Sequence, residues 1–242
     1  MNLSTLCLRG YKSAKEEIHR LIIKEKLDIL CLQDLRVNKE NFTINFPGRN
    51  YESLYHSRYV GFIYRKSLRP KKREKRIGVM DFDREGLFSI LEFKKFFLIN
   101  IYKRPGAYGH DRFIRRLVKL IRRFEKEKYV ILVGDFNIGI PSNKTSFLKF
   151  KDLHWEIEYI FMNTNLMSIW QFLSKFQGKK SGIPRNWNFP YTYIHSPQRY
   201  LYLNDYILFS KELSHNLKHF YVKYNTQISD HLPIIAAFKN LE

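Results

Sequence analysis

The sequence is poor in cysteine, in glycine and proline, and in acidic side chains. Its 242 residues contain two cysteines, Cys7 and Cys31, which excludes a disulfide framework and favours a reducing compartment. With 11 Gly and 8 Pro, the composition is unlike that of collagen-like or disordered chains. No apolar run approaches the ~18 residues of a membrane span, and the first residues lack the basic-then-apolar order of a secretory signal. We therefore expect a soluble, globular, intracellular protein that has no membrane partner.

The shortage of acidic residues leaves a large positive charge. There are 43 Lys and Arg residues against 23 Asp and Glu residues, which gives a formal net charge of +20. Such a field attracts polyanions, and nucleic acid is the commonest one inside cells. The charge is spread along the chain, and we find no internal repeat or low-complexity linker. We expect one domain over residues 1–242, acting as a monomer, although charge alone does not distinguish an enzyme from a binding protein.

Apolar runs of strand length recur along the chain. Continuous runs at 3–8, 27–33, 96–102 and 129–137 predict strands that are covered on both faces. Residues 50–95 contain segments that alternate between polar and apolar, as antiparallel strands do. The last third of the chain contains further strand-like runs in LNDYILFS and LPIIAAF.

Helical patterns separate these runs. Ser13 and Glu16 form a capping box ahead of an apolar-periodic segment, which predicts a helix after the first strand. Residues 109–126 carry a single apolar stripe, and residues 154–176 also look helical. The order of elements predicts an α/β fold, a four-layer sandwich in which two mixed, mainly antiparallel sheets pack together and are flanked by helices.

Two basic features have an ordinary and a functional interpretation. The predicted helix at 109–126 carries arginines and lysines opposite its apolar stripe, which indicates either a solvated face or a nucleic-acid contact. The cluster RPKKREKR at 69–76 is either a nuclear-import signal or a loop that grips a phosphate backbone. Nuclear localisation is thus one expectation within an intracellular protein.

Polar side chains gather where the apolar runs end. Carboxylates beside buried strands are costly unless they are paired, hydrogen-bonded or bound to metal. Side chains from several strand ends can together build a site, because strands fix what the loops present. Oxygen donors without Cys or His pairs at zinc-site spacing favour a hard cation, Mg²⁺ or alternatively Mn²⁺. The residues concerned are Asp34, Tyr102, Asp135, Asn137, Asp205, Asp230 and His231.

Seven segments together resemble one known family. They match in order the motifs of the endonuclease/exonuclease/phosphatase superfamily, in its exonuclease III-like apurinic-endonuclease and retrotransposon-endonuclease branch. VGDFNI and SDHLPI are the most specific of these motifs. The segments are LSTLCLRG, LCLQD, NIYKRPG, VGDFNI, YTYIHSP, LNDYILFS and SDHLPI.

This resemblance implies a role for each matching residue. His231 would activate or orient the attacking water, or hold the phosphate, with Asp205 accepting its other ring N–H. Asp135 would act near the water or the leaving group, and Asn137 and Tyr102 would contact the phosphate. Asp34 and Asp230 would bind the metal. The residues expected to line the phosphate or nucleic-acid site are Cys7, Arg9, Arg104 and Thr192.

The chain departs from the family pattern mainly around the metal. Cys7 stands where the family usually has Asn, and Arg9 stands where Asn or Asp is frequent. Arg9 cannot ligate a cation but can grip a phosphate. Asp34 replaces Glu and is shorter by one methylene group. These changes weaken the metal half of the site and leave the acid/base half intact.

Three functions remain open from the sequence. The first is a Mg²⁺-dependent nuclease that hydrolyses DNA phosphodiester bonds, by nicking duplexes or by cutting abasic sites in DNA repair. The second is a catalytically weakened member that binds nucleic acid without cutting it. The third is a phosphoesterase acting on phosphoinositides or other phosphoesters, which the cationic surface would also permit.

Overall fold

The structure is a computed structural model, and it describes residues 1–42, 50–72, 87–104, 110–141, 155–169, 192–195, 200–224 and 228–241. Strands dominate these residues. In chain order the strands and helices are β1 (Asn2–Cys7), α1 (Tyr11–Lys24), β2 (Ile29–Gln33), β3 (Tyr51–Tyr55), β4 (Val60–Arg65), β5 (Lys71–Lys72), β6 (Phe88–Glu92), β7 (Phe96–Tyr102), α2 (His110–Phe124), β8 (Tyr129–Pro141), α3 (Trp155–Asn163), β9 (Leu166–Ser168), β10 (Tyr193–His195), β11 (Tyr200–Ser210), β12 (Leu217–Val222) and β13 (Ile234–Phe238).

The strands form two mixed sheets. The first has the order β12-β13-β1-β2-β4-β3, and the second has the order β10-β11-β8-β7-β6-β5 with β9 added beside β11. Parallel pairing occurs between β1 and β2 and between β7 and β8, while the other strand pairs are antiparallel. Both parallel pairs are joined through a helix, as parallel crossovers require.

The buried residues show a layered packing. One core lies between α1 and the outer face of the first sheet, where Ile18 and Ile22 pack with Leu6 and Leu30. A larger core joins the opposite face of the first sheet, the second sheet, α2 and α3. Each apolar side chain buried here stabilises the fold by about 1.5–3 kcal/mol. The predicted α/β sandwich of two mixed, mainly antiparallel sheets flanked by helices is confirmed.

A buried hydrogen-bond network ties the two sheets together close to the strand ends. Gln33 of β2 donates through Nε2 to Oδ1 of Asn100 in β7 at 2.6 Å. Asn100 in turn donates through Nδ2 to the backbone oxygens of Leu32 at 3.1 Å and Gly61 at 3.0 Å. Buried amides left without partners would cost about 1–3 kcal/mol each, so the network favours one relative placement of the sheets. It therefore fixes the ends of β2 and β7, where the candidate residues lie.

Two local predictions were wrong. Helix α1 begins at Tyr11 after Gly10, whose φ is 132°, and no side-chain cap bond is formed there, so Ser13 and Glu16 are not its capping box. The Tyr11 N–H instead donates to the Leu35 backbone oxygen at 2.8 Å, a tertiary contact that sequence spacing does not show. The helix predicted over 154–176 ends at Asn163, because the chain then joins the second sheet as β9. Residues 170–176 lie outside the described part.

The charged face of α2 is oriented as its periodicity predicts. Leu117 and Ile121 are buried, whereas Arg115, Arg122 and Arg123 are exposed. Of the basic cluster at 69–76, residues 69–72 are described, and residues 73–76 lie outside the described part. Nuclear import stays a prediction. Among the described helices, none has the length and apolar character needed to cross a membrane.

Candidate active site

The centre of the site is a buried histidine between two aspartates. Asp135 of β8 and Asp205 of β11 are register partners, so their side chains project from the same face of the second sheet. His231 lies just before β13 and places Nδ1 2.8 Å from Oδ2 of Asp205. Its Nε2 atom lies 3.9 Å from Oδ2 of Asp135. All three side chains are at most 3% exposed, so water screens their charges weakly.

Thr192 holds the backbone on both sides of this pair. Its hydroxyl oxygen accepts the N–H of Asn204 at 3.1 Å and the N–H of Asp205 at 3.0 Å, where the register of β11 shifts. Its carbonyl oxygen accepts the N–H of Leu232 at 2.7 Å, next to His231. Thr192 thus links the segments that carry Asp205 and His231, and its predicted place at the phosphate site stays a prediction.

The GDFN segment within β8 fixes the carboxylate of Asp135. Gly134 has φ 140°, and a Cβ there would lie 2.0 Å from the Ile101 backbone oxygen, so only glycine fits. Asn137, with φ 48°, donates its backbone N–H to Oδ1 of Asp135 at 2.8 Å and its Nδ2 to Oδ2 at 2.9 Å. The same Nδ2 donates to the Lys103 backbone oxygen at 2.7 Å. Asn137 therefore orients the carboxylate, and its predicted contact with phosphate stays a prediction.

Burial and mutual attraction shift the pKa values of this centre. Burial raises the pKa of Asp135 to about 7, with the nearby His231 opposing this effect and Asp205 adding to it. Burial alone would lower the pKa of His231, but Asp205 and Asp135 outweigh it and raise the value to about 9. The imidazole is therefore protonated at neutral pH when no other cation is near.

Cys7 and Tyr102 form the adjoining wall. Cys7 is buried against Val60 and Tyr102, and its Sγ lies within 4.8 Å of ligand atoms of both Asp135 and His231. Burial and the surrounding carboxylates raise the pKa of the Cys7 thiol. Burial and the nearby Asp34 also raise the pKa of Tyr102, whose ring stacks on Tyr59 at 5.8 Å between centroids. The Tyr102 hydroxyl is therefore a permanent hydrogen-bond donor.

The two predicted metal ligands are both paired with arginines. Asp34, with φ 50°, accepts a bidentate pair of bonds from Arg36, at 3.1 Å from Nε to Oδ1 and 2.7 Å from Nη2 to Oδ2. Arg9 lies 2.7 Å from Oδ2 of Asp230 through Nη1, and its Nη2 donates to the Tyr193 hydroxyl at 3.0 Å. Arg9 was predicted to contact phosphate, and its side chain is 52% exposed, which leaves it accessible.

Several residues at the site were missed from the sequence. Lys103 and Glu156 form a buried ion pair, with Nζ 2.8 Å from Oε1 and 2.6 Å from Oε2. Tyr193 packs its ring 4.7 Å from the His231 ring, measured between centroids. Lys103 directly follows Tyr102 in the NIYKRPG motif, and this position is the sequence signal that could have identified it as a site residue. Arg104, which was predicted, is exposed and lies over the Tyr59 ring at 5.4 Å.

The donor set fits a divalent cation. Asp34, Asp135 and Asp205 supply buried carboxylate oxygens, the ligands that hard cations prefer. Oδ1 of Asp205 is buried and has no hydrogen-bond partner among the described residues. A buried, unpartnered carboxylate oxygen is costly, and a cation would relieve that cost. At Asp34 the ion would compete with Arg36.

Comparisons with known proteins show which proteins this chain is similar to. The chain is 28% identical over 148 residues to an exodeoxyribonuclease of Streptococcus pneumoniae serotype 4, covering 51% of this chain and 53% of that protein. It is 25% identical over 156 residues to the DNA-(apurinic or apyrimidinic site) endonuclease of Dictyostelium discoideum, covering 57% and 42%. The chain thus spans about half the length of the curated relatives it matches.

The likeness in fold extends further along the chain than the likeness in sequence. The 3′–5′ exonuclease NExo from Neisseria meningitidis superposes with a TM-score of 0.73 at 19% identity, over 99% of this chain and 100% of that one. The family described as Endonuclease/Exonuclease/phosphatase matches residues 6–231, from β1 to His231. Because this match includes nearly the whole chain and every residue of the buried centre, the chain belongs to the endonuclease/exonuclease/phosphatase family.

Proposed function

We propose that this chain is a Mg²⁺-dependent nuclease that hydrolyses phosphodiester bonds in DNA. The observation that carries the proposal is the buried His231 held by Asp205 beside Asp135. Nucleases of this family generally depend on a divalent metal ion. The relatives named exodeoxyribonuclease and apurinic or apyrimidinic endonuclease, together with the net charge of +20, support DNA as the substrate.

The mechanism follows from the hydrogen bonds. Asp205 accepts the Nδ1–H of His231, so that Nε2 is the atom free to exchange a proton with the attacking water or to donate to the phosphate. Asp135, held at both oxygens by Asn137, lies beside Nε2 to orient the water or assist the leaving oxygen. Tyr102 remains protonated and donates to a phosphate oxygen.

Charge neutralisation would come from the metal and the arginines. Asp34 and Asp230 would hold Mg²⁺, and the bound ion would neutralise charge on the phosphate oxygens. Arg9 and Arg104 are exposed near the centre and would bind the flanking phosphates of the strand. We also propose that the protein acts as a monomer.

Cleavage of three substrates in Mg²⁺ or Mn²⁺ tests this proposal. The substrates are an intact duplex plasmid, a duplex with one abasic site, and single-stranded RNA. We expect nicking of DNA by the wild type and a loss of at least about 100-fold for Asp135→Ala and His231→Ala. The matched control is His219→Ala, which removes an exposed histidine and should nick like the wild type. The proposal would be overturned if the wild type cleaved no DNA substrate in Mg²⁺ and none in Mn²⁺, or if both active-site variants nicked DNA as fast as the wild type.

The second candidate is a member that binds nucleic acid without cutting it. The pairing of Asp34 with Arg36 and of Asp230 with Arg9 favours it, because both expected metal ligands already carry a counter-charge. Salt-dependent DNA binding without turnover, and without Mg²⁺ binding in calorimetry, would identify this case.

A further inference from the structure

The buried centre contains a set of donor atoms that includes a thiol, a group that the proposed Mg²⁺ chemistry does not use. The Sγ of Cys7, a carboxylate oxygen of Asp135 and a ring nitrogen of His231 all lie within 4.8 Å of one another, and all three residues are buried. Thiolate and imidazole are ligands for zinc-like ions, whereas Mg²⁺ prefers oxygen. The set therefore has a different metal preference from the carboxylates alone.

The hydrogen bond that would orient the histidine of this set is already formed. His231 uses Nδ1 to hydrogen-bond Asp205 at 2.8 Å, which leaves Nε2 facing Asp135. A carboxylate, a histidine and a metal in this order are the usual arrangement at protein zinc sites, where the carboxylate fixes the tautomer of the ring. The unpartnered Oδ1 of Asp205 adds negative charge beside the same centre.

The spacing suits one tetrahedral ion after a small contraction. Zn–S and Zn–N bonds of about 2.3 and 2.0 Å place a sulfur and a nitrogen about 3.5 Å apart at a tetrahedral angle. The donor atoms lie within 4.8 Å of one another, so a pair at that limit would have to move roughly 1 Å closer together to bind one ion. Rotation of the Cys7 side chain is the least costly way, because Asn137 and Asp205 fix the other two ligands.

We propose that the centre binds Zn²⁺ through Cys7, Asp135 and His231, and that this ion inhibits the enzyme. Binding releases two protons to solvent, the thiol proton of Cys7 and the Nε2 proton of His231, since a coordinating thiol is deprotonated and a coordinating imidazole is neutral. The ion occupies Nε2 of His231, the atom through which this residue would exchange a proton with water. The binding is independent of the proposed nuclease function, whereas the inhibition rests on it.

Cobalt substitution tests the site without reference to activity. Co²⁺ is added to the metal-free full-length protein, and the sulfur-to-cobalt charge-transfer absorption in the near ultraviolet is recorded. We expect this band to reach its maximum at one equivalent in the wild type and to be absent from Cys7→Ser. Cys31→Ala is the matched control, because Cys31 is equally buried in β2 but is surrounded by apolar side chains.

The cobalt outcomes decide the binding half of the proposal. Zn²⁺ should displace Co²⁺ and abolish the band in the wild type and in Cys31→Ala, and its affinity should fall at least about 100-fold in Cys7→Ser. A missing band in the wild type, a band that persists in Cys7→Ser, or one lost in Cys31→Ala would each overturn the site. Circular dichroism verifies that each variant is folded.

Nicking assays decide the inhibition half. At fixed Mg²⁺, one equivalent of Zn²⁺ should lower the nicking rate of the wild type and of Cys31→Ala at least tenfold, and a chelator selective for zinc should restore it. Unchanged nicking in a protein that shows the cobalt band would refute inhibition. Failure of all nicking with a normal cobalt band would instead refute the proposed function and leave the metal site standing.

Discussion

His231 and Asp205 form a buried hydrogen bond of 2.8 Å between Nδ1 and Oδ2, although Asp205 lies within β11 and His231 lies just before β13, 26 positions further along the chain. Because Oδ2 of Asp205 is hydrogen-bonded to the imidazole, this oxygen is not available to contact a substrate. Its contribution is therefore to hold the ring in one tautomer and orientation. We therefore propose that Asp205 is a positioning residue that acts through His231.

This relationship predicts non-additive losses of activity. Asp205→Asn should lower the nicking rate by about 10²-fold, and His231→Ala by about 10²–10⁴-fold. The double variant should be no slower than His231→Ala alone, because Asp205 has no ring left to orient. Rates of plasmid nicking under single-turnover conditions give all three values. Multiplicative losses in the double variant would show that Asp205 acts independently.

The raised pKa of His231 makes the stability of the metal-free protein depend on pH. The folded-state pKa of about 9 lies above the ordinary value of 6.5, so protonation stabilises the folded state. This contribution is complete below pH 6.5 and is lost as the pH rises to 9, and it amounts to something on the order of 3 kcal/mol. The pKa of Asp135 is also raised, from 3.8 to about 7, so its contribution is complete below pH 3.8 and is lost as the pH rises to 7.

Urea unfolding in a chelator across pH 6 to 9 measures this dependence. The free energy of unfolding should fall over that range in the wild type. In Asp205→Asn the fall should be much smaller, because the main partner of the imidazole is gone. His219→Ala, which changes an exposed histidine, should retain the full fall. A wild-type curve that is flat or rising between pH 7 and 9 would contradict the assignment.

The sequence predicted the layers of the fold more accurately than the local boundaries of its helices. β7 appears at 96–102 as its apolar run indicates, because a strand buried on both faces needs a continuous apolar segment. The start of α1 at Tyr11 depends on a hydrogen bond to the Leu35 backbone oxygen, which no local pattern encodes. Pairing of β9 with β11 likewise overrides the helical pattern after Asn163.

The same distinction applies to the site. The motifs predicted that Asp135, Asp205 and His231 belong to one site, and the structure brings these three side chains together. The partners of other candidate residues, such as Arg36 beside Asp34, depend on backbone geometry and could not be predicted from sequence spacing. The zinc-like donor set was missed because its cysteine, aspartate and histidine are far apart in sequence. Metal-site spacing rules detect only ligands that lie on one local element.

The buried Lys103–Glu156 pair predicts a large stability effect from single substitutions. Glu156→Leu leaves the ammonium of Lys103, whose side chain is 6% exposed, without a counter-charge. We expect a loss of about 3–5 kcal/mol in the free energy of unfolding. The double variant Lys103→Met with Glu156→Leu should recover most of that loss, since apolar replacements of similar volume need no counter-charge.

A surface ion pair provides the control for this effect. Glu17 pairs with Arg20, and both side chains are substantially exposed, so Glu17→Gln should change stability by less than about 1 kcal/mol. Urea denaturation measures all four proteins. If Glu156→Leu and Glu17→Gln cost the same, the Lys103–Glu156 pair is not buried in solution.

The bidentate Arg36–Asp34 pair predicts an increase in metal affinity when the arginine is removed. Arg36→Gln should lower the Mg²⁺ dissociation constant of the metal-free protein about threefold to tenfold, because the ion no longer competes with a charge-assisted pair that contributes roughly 1 kcal/mol when half exposed. Calorimetric titration of Mg²⁺ measures the constant directly. Arg20→Gln, which removes an exposed arginine of α1, should leave it unchanged. Weaker Mg²⁺ binding in Arg36→Gln would instead mean that the guanidinium positions Asp34 for the ion rather than competing with it.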